Sequence, residues 1–206
     1  MSHTLNIKTA GIPLKQAKKA LIMVHGRGGS AQDILSISQH LNVNDYAILA
    51  PQALNHTWYP LSFMAPVDQN EPWLSSALEI IGETVQVVTD AGIAPENIYF
   101  FGFSQGACLT LEFLVRNAQK FGGAAAIIGG VIGDKINREN YKGDFAGTSV
   151  LLATSNPDFH VPVERVYATA NILKEMNAEV TEKVYANFGH FINEEEIQLA
   201  NSIIFK

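Results

Sequence analysis

Apolar runs of strand length alternate with segments of helical period along this chain, and glycine, proline or small polar residues mark most of the switches. Ala20-Leu21-Ile22-Met23-Val24 shows no polar alternation and reads as a strand buried on both faces. A glycine-rich loop follows, then a helix capped by Ser30 and carrying Ile34, Leu35, Ile37 and Leu41. Tyr46 to Ala50 is the next strand. Asn70-Glu71-Pro72-Trp73 opens a second helix, with proline in its first turn, that continues through Leu78, Ile81 and Val85 until Gly92 and Pro95 stop it. Strand Ile98-Tyr99-Phe100-Phe101 precedes a helix bearing Ala107, Cys108, Leu111, Leu114 and Val115. Strands Ala124 to Ile128 and Val150 to Thr154, a helix from about Val163 to Met176, strand Val180 to Tyr185 and a helix from about Glu194 complete the order. Thr4 to Thr9 alternates apolar and polar residues, which predicts an antiparallel edge strand. The whole pattern predicts an α/β fold: a mostly parallel sheet flanked by helices on both faces.

Composition narrows the classes. The 206 residues are enough for one sizeable core, with no Pro/Gly/Ser-rich linker or charge run to divide them, so residues 1–206 are expected to form a single domain. The formal charge is −6, and Lys15, Lys18 and Lys19 form the only basic group that stands out, so no nucleic-acid partner is expected. Met1 to Lys8 lacks the apolar core of a signal peptide. The uncharged stretch Phe121 to Gly133 is too short and glycine-rich to span a bilayer, which points to a soluble, cytoplasmic protein. The six histidines show no metal-ligand spacing, and neither a P-loop lysine nor a G-x-G-x-x-G motif is present, so no metal and no cofactor is expected. The single cysteine, Cys108, cannot form an internal disulfide and reads as a small buried side chain. A homodimer stays open.

Gly102-Phe103-Ser104-Gln105-Gly106 carries the chemistry. A serine is a weak nucleophile until the backbone presents it, and G-x-S-x-G between a strand and a helix makes the sharp elbow that does so. In such a sheet the reacting residues sit beyond the carboxyl ends of the strands, in the chain order Ser, Asp, His. His190, just past strand Val180 to Tyr185, satisfies both conditions as the base. His160 is better suited to a wall, and His56 precedes the serine. For the acid, Asp158 lies in a turn-rich loop ahead of a helix begun at Pro162, while Asp134 is the rival in a glycine-rich neighbourhood. His25-Gly26-Arg27-Gly28-Gly29 ends a central strand in a bend that aims a main-chain N–H into the site. The expected oxyanion donors are therefore the backbone N–H groups of Arg27 and Gln105. The Arg27 side chain points at substrate or reaches solvent, and the second is expected. Within Asn55 to Met64, the residues Trp58, Tyr59, Phe63 and Met64 form either a substrate-pocket wall or core packing beneath a long loop.

Together these residues resemble the phospholipase/carboxylesterase branch of the α/β hydrolases, which includes the acyl-protein thioesterases. The resemblance runs over nearly the whole chain, on Val24-His25-Gly26-Arg27-Gly28, Ala50-Pro51-Gln52, Trp58-Tyr59, the Ser104 elbow, Asp158 followed by Val161-Pro162, and Gly189-His190. It implies a lean hydrolase without a cap domain, with Ser104 as nucleophile and Asp158 and His190 as partners. Esters or thioesters of short to medium acyl chains are the implied substrates. Two departures bear on substrate identity. Ala153-Thr154-Ser155-Asn156 stands where relatives often have a histidine and glycine, and Arg27 stands where eukaryotic thioesterases are commonly apolar. A non-catalytic ligand-binding protein of the same fold is the alternative.

Overall fold

The structure is a computed structural model and describes residues 2–206. Seven strands form one sheet: β1 (Ile7–Gly11), β2 (Lys19–Val24), β3 (Tyr46–Pro51), β4 (Ile98–Phe103), β5 (Gly123–Ile127), β6 (Ser149–Asn156) and β7 (Glu179–Ala186). Their spatial order is β1-β3-β2-β4-β5-β6-β7, with β1 antiparallel to β3 and every other pairing parallel. Five helices flank it: α1 (Ala31–Ile37), α2 (Trp73–Asp90), α3 (Gln105–Arg116), α4 (Val163–Glu175) and α5 (Glu194–Ile203). The α/β class and mostly parallel sheet read from the hydrophobic pattern are both present. Connections 52–72 and 128–148 hold only 3-10 turns, so no helical cap is built from them.

Central strands β2, β3 and β5 are buried along nearly their whole length, which is why their sequences read as continuous apolar runs. α3 is buried from Gln105 to Val115, because it lies against β4 and β5 on one side and α2 on the other. Three local expectations are corrected. Pairing of the edge strand starts at Ile7 rather than Thr4: the buried His3 is tied instead to Ser76, Trp58 and Leu54, so the first residues follow those anchors and not a strand. The first helix stops at Ile37, short of Leu41. Its start is fixed by a capping box in which Ser30 and Asp33 exchange hydrogen bonds, but the Ser38 hydroxyl bonds back to the Leu35 carbonyl where the chain tightens into a 3-10 turn. Pro72 sits at the N-cap of α2, one position before the first turn.

Candidate active site

β4 delivers the chain to Ser104 at φ 53° and ψ −120°, a left-handed conformation costly for any residue but glycine. The Ser104 N–H donates to the Ile127 carbonyl at 2.9 Å, and its carbonyl accepts from the Cys108 N–H at 3.0 Å. The flanking glycines are steric requirements. A Cβ on Gly102 would stand 2.7 Å from the Gly106 carbonyl oxygen, and one on Gly106 would stand 2.1 Å from that of Val24. Both obstacles are backbone inside a packed core, so neither can yield.

Ser104, His190 and Asp158 come together from three strand ends. The Ser104 Oγ lies 2.7 Å from His190 Nε2, and His190 Nδ1 lies 2.8 Å from Asp158 Oδ2. The Asp158 side chain is fully buried, and its other oxygen accepts the main-chain N–H groups of His160 and Val161, each at 2.8 Å. Burial alone would push this carboxyl up. The hydrogen bonds from the His160 N–H, from His190 and from the Val161 N–H outweigh it and hold the group below the usual carboxylate range. An ionised Asp158 can only accept, so His190 carries its proton on Nδ1 and leaves Nε2 to accept from the serine hydroxyl. The histidine loop hangs on Ser155, whose Oγ accepts the N–H groups of Phe188 and Gly189 at 3.0 and 3.1 Å. Gly189 turns there with φ 94°, open to glycine and costly for other residues.

The rivals sit elsewhere. His160 stands edge-on to His190, ring centroids 5.0 Å apart, as a wall. His56 bonds the Gly29 carbonyl. Asp134 is exposed, its carbonyl accepts from Arg165, and no hydrogen bond joins its carboxylate to His190 among the described residues.

Main-chain N–H groups of Arg27 and Gln105 donate to no other group among the described residues. The Gly26–Arg27 peptide is oriented from its carbonyl end. His25 Nδ1 donates to the Gly26 oxygen at 2.7 Å, while His25 Nε2 accepts from the Ala53 N–H at 3.1 Å. Burial holds His25 below the ordinary histidine range, against the smaller opposing effect of its bond to Gly26, so the ring stays neutral and keeps this tautomer.

A cavity of about 730 Å³ opens at Ser104 and His190, with Arg27, Tyr59, Phe63 and Val161 among its walls. Tyr59 and Phe63 therefore line it as pocket residues. Trp58 and Met64 do not. Trp58 is 0% exposed, packs its ring on His25 at 5.0 Å and donates its indole N–H to the His25 carbonyl, so it braces the bend from behind. Met64 packs against the core. Cys108 reaches the cavity floor, but burial pushes its thiol up to about 12, which leaves it no nucleophile.

Two side chains expected to contribute only backbone do more. Gln105 accepts the Trp58 N–H at 3.0 Å and donates to the Tyr59 carbonyl at 2.8 Å. Arg27 is exposed, as expected, and also donates to the Pro60 and Leu61 carbonyls at 2.8 and 2.6 Å. Both thus clamp the pocket wall. Their partners are backbone atoms far away in sequence, and the only signal was the presence of a long polar side chain at each position.

Residues 10–206 match the family model for phospholipase/carboxylesterase. The chain belongs to the phospholipase/carboxylesterase family. Within that family it is similar to the crystal structure of a phospholipase/carboxylesterase from Dyadobacter fermentans, with 53% identity and a TM-score of 0.99 over 100% of this chain and 99% of that one. It is 26% identical to acyl-protein thioesterase 1 of Saccharomyces cerevisiae over 94% of each chain. It is also 27% identical to a probable carboxylesterase, SOBER1-like, of Arabidopsis thaliana over 77% of this chain, and the match spans 60% of that plant protein. The architecture is that of the α/β-hydrolase members of this family, as expected from the sequence. No helix among the described residues is long and apolar enough to cross a membrane.

Proposed function

We propose that this member of the phospholipase/carboxylesterase family is a serine hydrolase that cleaves carboxylic esters or thioesters of short to medium acyl chains. The observation carrying this reading is the unbroken hydrogen-bonded line from Ser104 Oγ through His190 to Asp158. Ser104 attacks the carbonyl carbon while His190 Nε2 takes its proton, and Asp158 steadies the imidazolium. The oxygen of the tetrahedral intermediate gathers negative charge between the N–H groups of Arg27 and Gln105, each donor of this kind being worth about 10²- to 10³-fold in rate. As the intermediate collapses, His190 passes the proton to the leaving alcohol or thiol, and an acyl group remains on Ser104 Oγ. Water then repeats the sequence, with His190 as base, and frees the acid.

Strain at Ser104 supports the reading, since an L-residue is held at positive φ only where the surroundings over-determine it. The test is labelling of Ser104 by a fluorophosphonate, followed by peptide mass mapping. Stoichiometric labelling that disappears in Ser104→Ala and falls sharply in His190→Ala is expected. An unlabelled native protein with no turnover of 4-nitrophenyl esters would refute the proposal and leave the ligand-binding alternative.

A further inference from the structure

We propose, resting on the serine-hydrolase reading, that Arg27 recognises an anionic group on the substrate, so that the preferred esters or thioesters carry a carboxylate or a phosphate. The Arg27 guanidinium stands on the wall of the cavity that holds Ser104 and His190. It is fixed there by the carbonyls of Pro60 and Leu61. Those partners are neutral. They orient the side chain and use part of its donor set without cancelling its charge, and a guanidinium has more N–H groups than two carbonyls occupy. No carboxylate lies within ion-pair distance of Arg27 among the described residues.

The rest of the wall sharpens the effect. None of the residues lining this cavity is Asp or Glu, although the chain as a whole carries a formal charge of −6. Tyr59, Phe63, Phe159 and Val161 add apolar surface to this wall and no charge that opposes the single guanidinium. Arg27 also belongs to the peptide whose N–H faces the proposed oxyanion position. The guanidinium shares the cavity with Ser104 and His190, so an anionic substituent at the far end of a substrate bound there comes within its reach. Because Arg27 is itself exposed, the attraction is screened, and its expected effect is about 5- to 20-fold in kcat/KM, not several orders of magnitude.

The experiment compares matched 4-nitrophenyl esters that differ only at the far end of the acyl chain. One pair is the adipate half-ester against its methyl ester, and the other ends in a phosphate against its dimethyl ester, so the two arms report which anion fits. The unmodified protein is expected to favour one anionic member by about 5- to 20-fold, chiefly through KM, and raising NaCl from about 25 to about 500 mM should shrink that ratio. Arg27→Met should bring the ratio close to one, and Arg27→Lys should retain part of it. Both variants are expected to lose rate on neutral esters as well, since the wall at Pro60 and Leu61 loosens, so the ratio is the readout. Ser104→Ala titrated calorimetrically with each pair reads the same preference without turnover. A failed hydrolase reading would then show as absent Ser104 labelling with the preference intact. Equal or weaker handling of both anionic esters by the unmodified protein would overturn the proposal, as would an unchanged ratio in Arg27→Met. If Arg27→Met does not fold, a preference that ignores salt would overturn it equally.

Discussion

Replacing Gln105 by Leu removes two hydrogen bonds while nearly conserving volume. The Trp58 N–H and the Tyr59 carbonyl, now partnered by the Gln105 amide at 3.0 and 2.8 Å, would remain in a region where Trp58 is 0% and Tyr59 1% exposed. A buried backbone group left unpaired costs about 1–3 kcal/mol. Two such groups set a loss of about 2–6 kcal/mol, offset slightly by the more favourable burial of Leu. For a chain of this size the melting temperature should fall by roughly 5–20 °C. Urea titration followed by tryptophan fluorescence measures the loss, with Trp58 at the affected site. Gln105→Glu separates hydrogen bonding from packing. One carboxyl oxygen still accepts from Trp58, but the other meets the Tyr59 carbonyl and has to carry a proton to bond it. The folded form then favours the protonated acid, and the variant loses stability as pH rises. A loss under about 0.5 kcal/mol in Gln105→Leu, far below the desolvation cost of either group, would show that the wall finds other partners and that position 105 does not hold it.

Three further outcomes are expected. Gly106→Ala should yield little folded protein, because its Cβ would fall 2.1 Å from the Val24 carbonyl oxygen, and soluble expression with circular dichroism checks this. Asp158→Asn should leave the melting temperature within a few degrees yet lower kcat by up to about 10⁴-fold, whereas undiminished activity would refute the role of the Asp158 carboxylate as the acid. Glu196 is buried at the start of α5, and burial raises its carboxyl to about 7 against the smaller effect of the Asn193 hydrogen bond. A folded pKa above the unfolded one means that stability is lost as pH climbs from the ordinary carboxylate range through about 7. Glu196→Gln keeps an acceptor for the Asn193 N–H, so it should gain up to about 3 kcal/mol over the parent at alkaline pH and much less at about pH 5, read by urea titration at both.

Much of this molecule is legible in its sequence because the relevant physics is local. Ala20 to Val24 has no polar residue to offer solvent, Ser30 stands three residues before Asp33, and glycines bracket Ser104 where backbones nearly touch. Chain order at strand ends set His56 aside, and the turn-rich loop ahead of Pro162 favoured Asp158 over Asp134; the hydrogen-bonded line runs through His190 and Asp158. What was hidden depends on through-space partners. Trp58 and Tyr59 are neighbours in sequence, yet one stacks behind His25 and the other faces the cavity, because the irregular loop gives no period from which to read a side. The clamps formed by Arg27 and Gln105 were likewise unreadable, since carbonyls carry no sequence signal.

The serine and the histidine belong to regions of very different robustness. Ser104 follows a strand in the middle of the sheet, whereas His190 follows β7, the outermost strand, whose residues are only partly covered. Fraying at that border would carry the imidazole away while the hydroxyl's surroundings stayed native. The temperature ceiling for turnover is then dictated by the rim of the molecule, and warming should silence it before the interior melts.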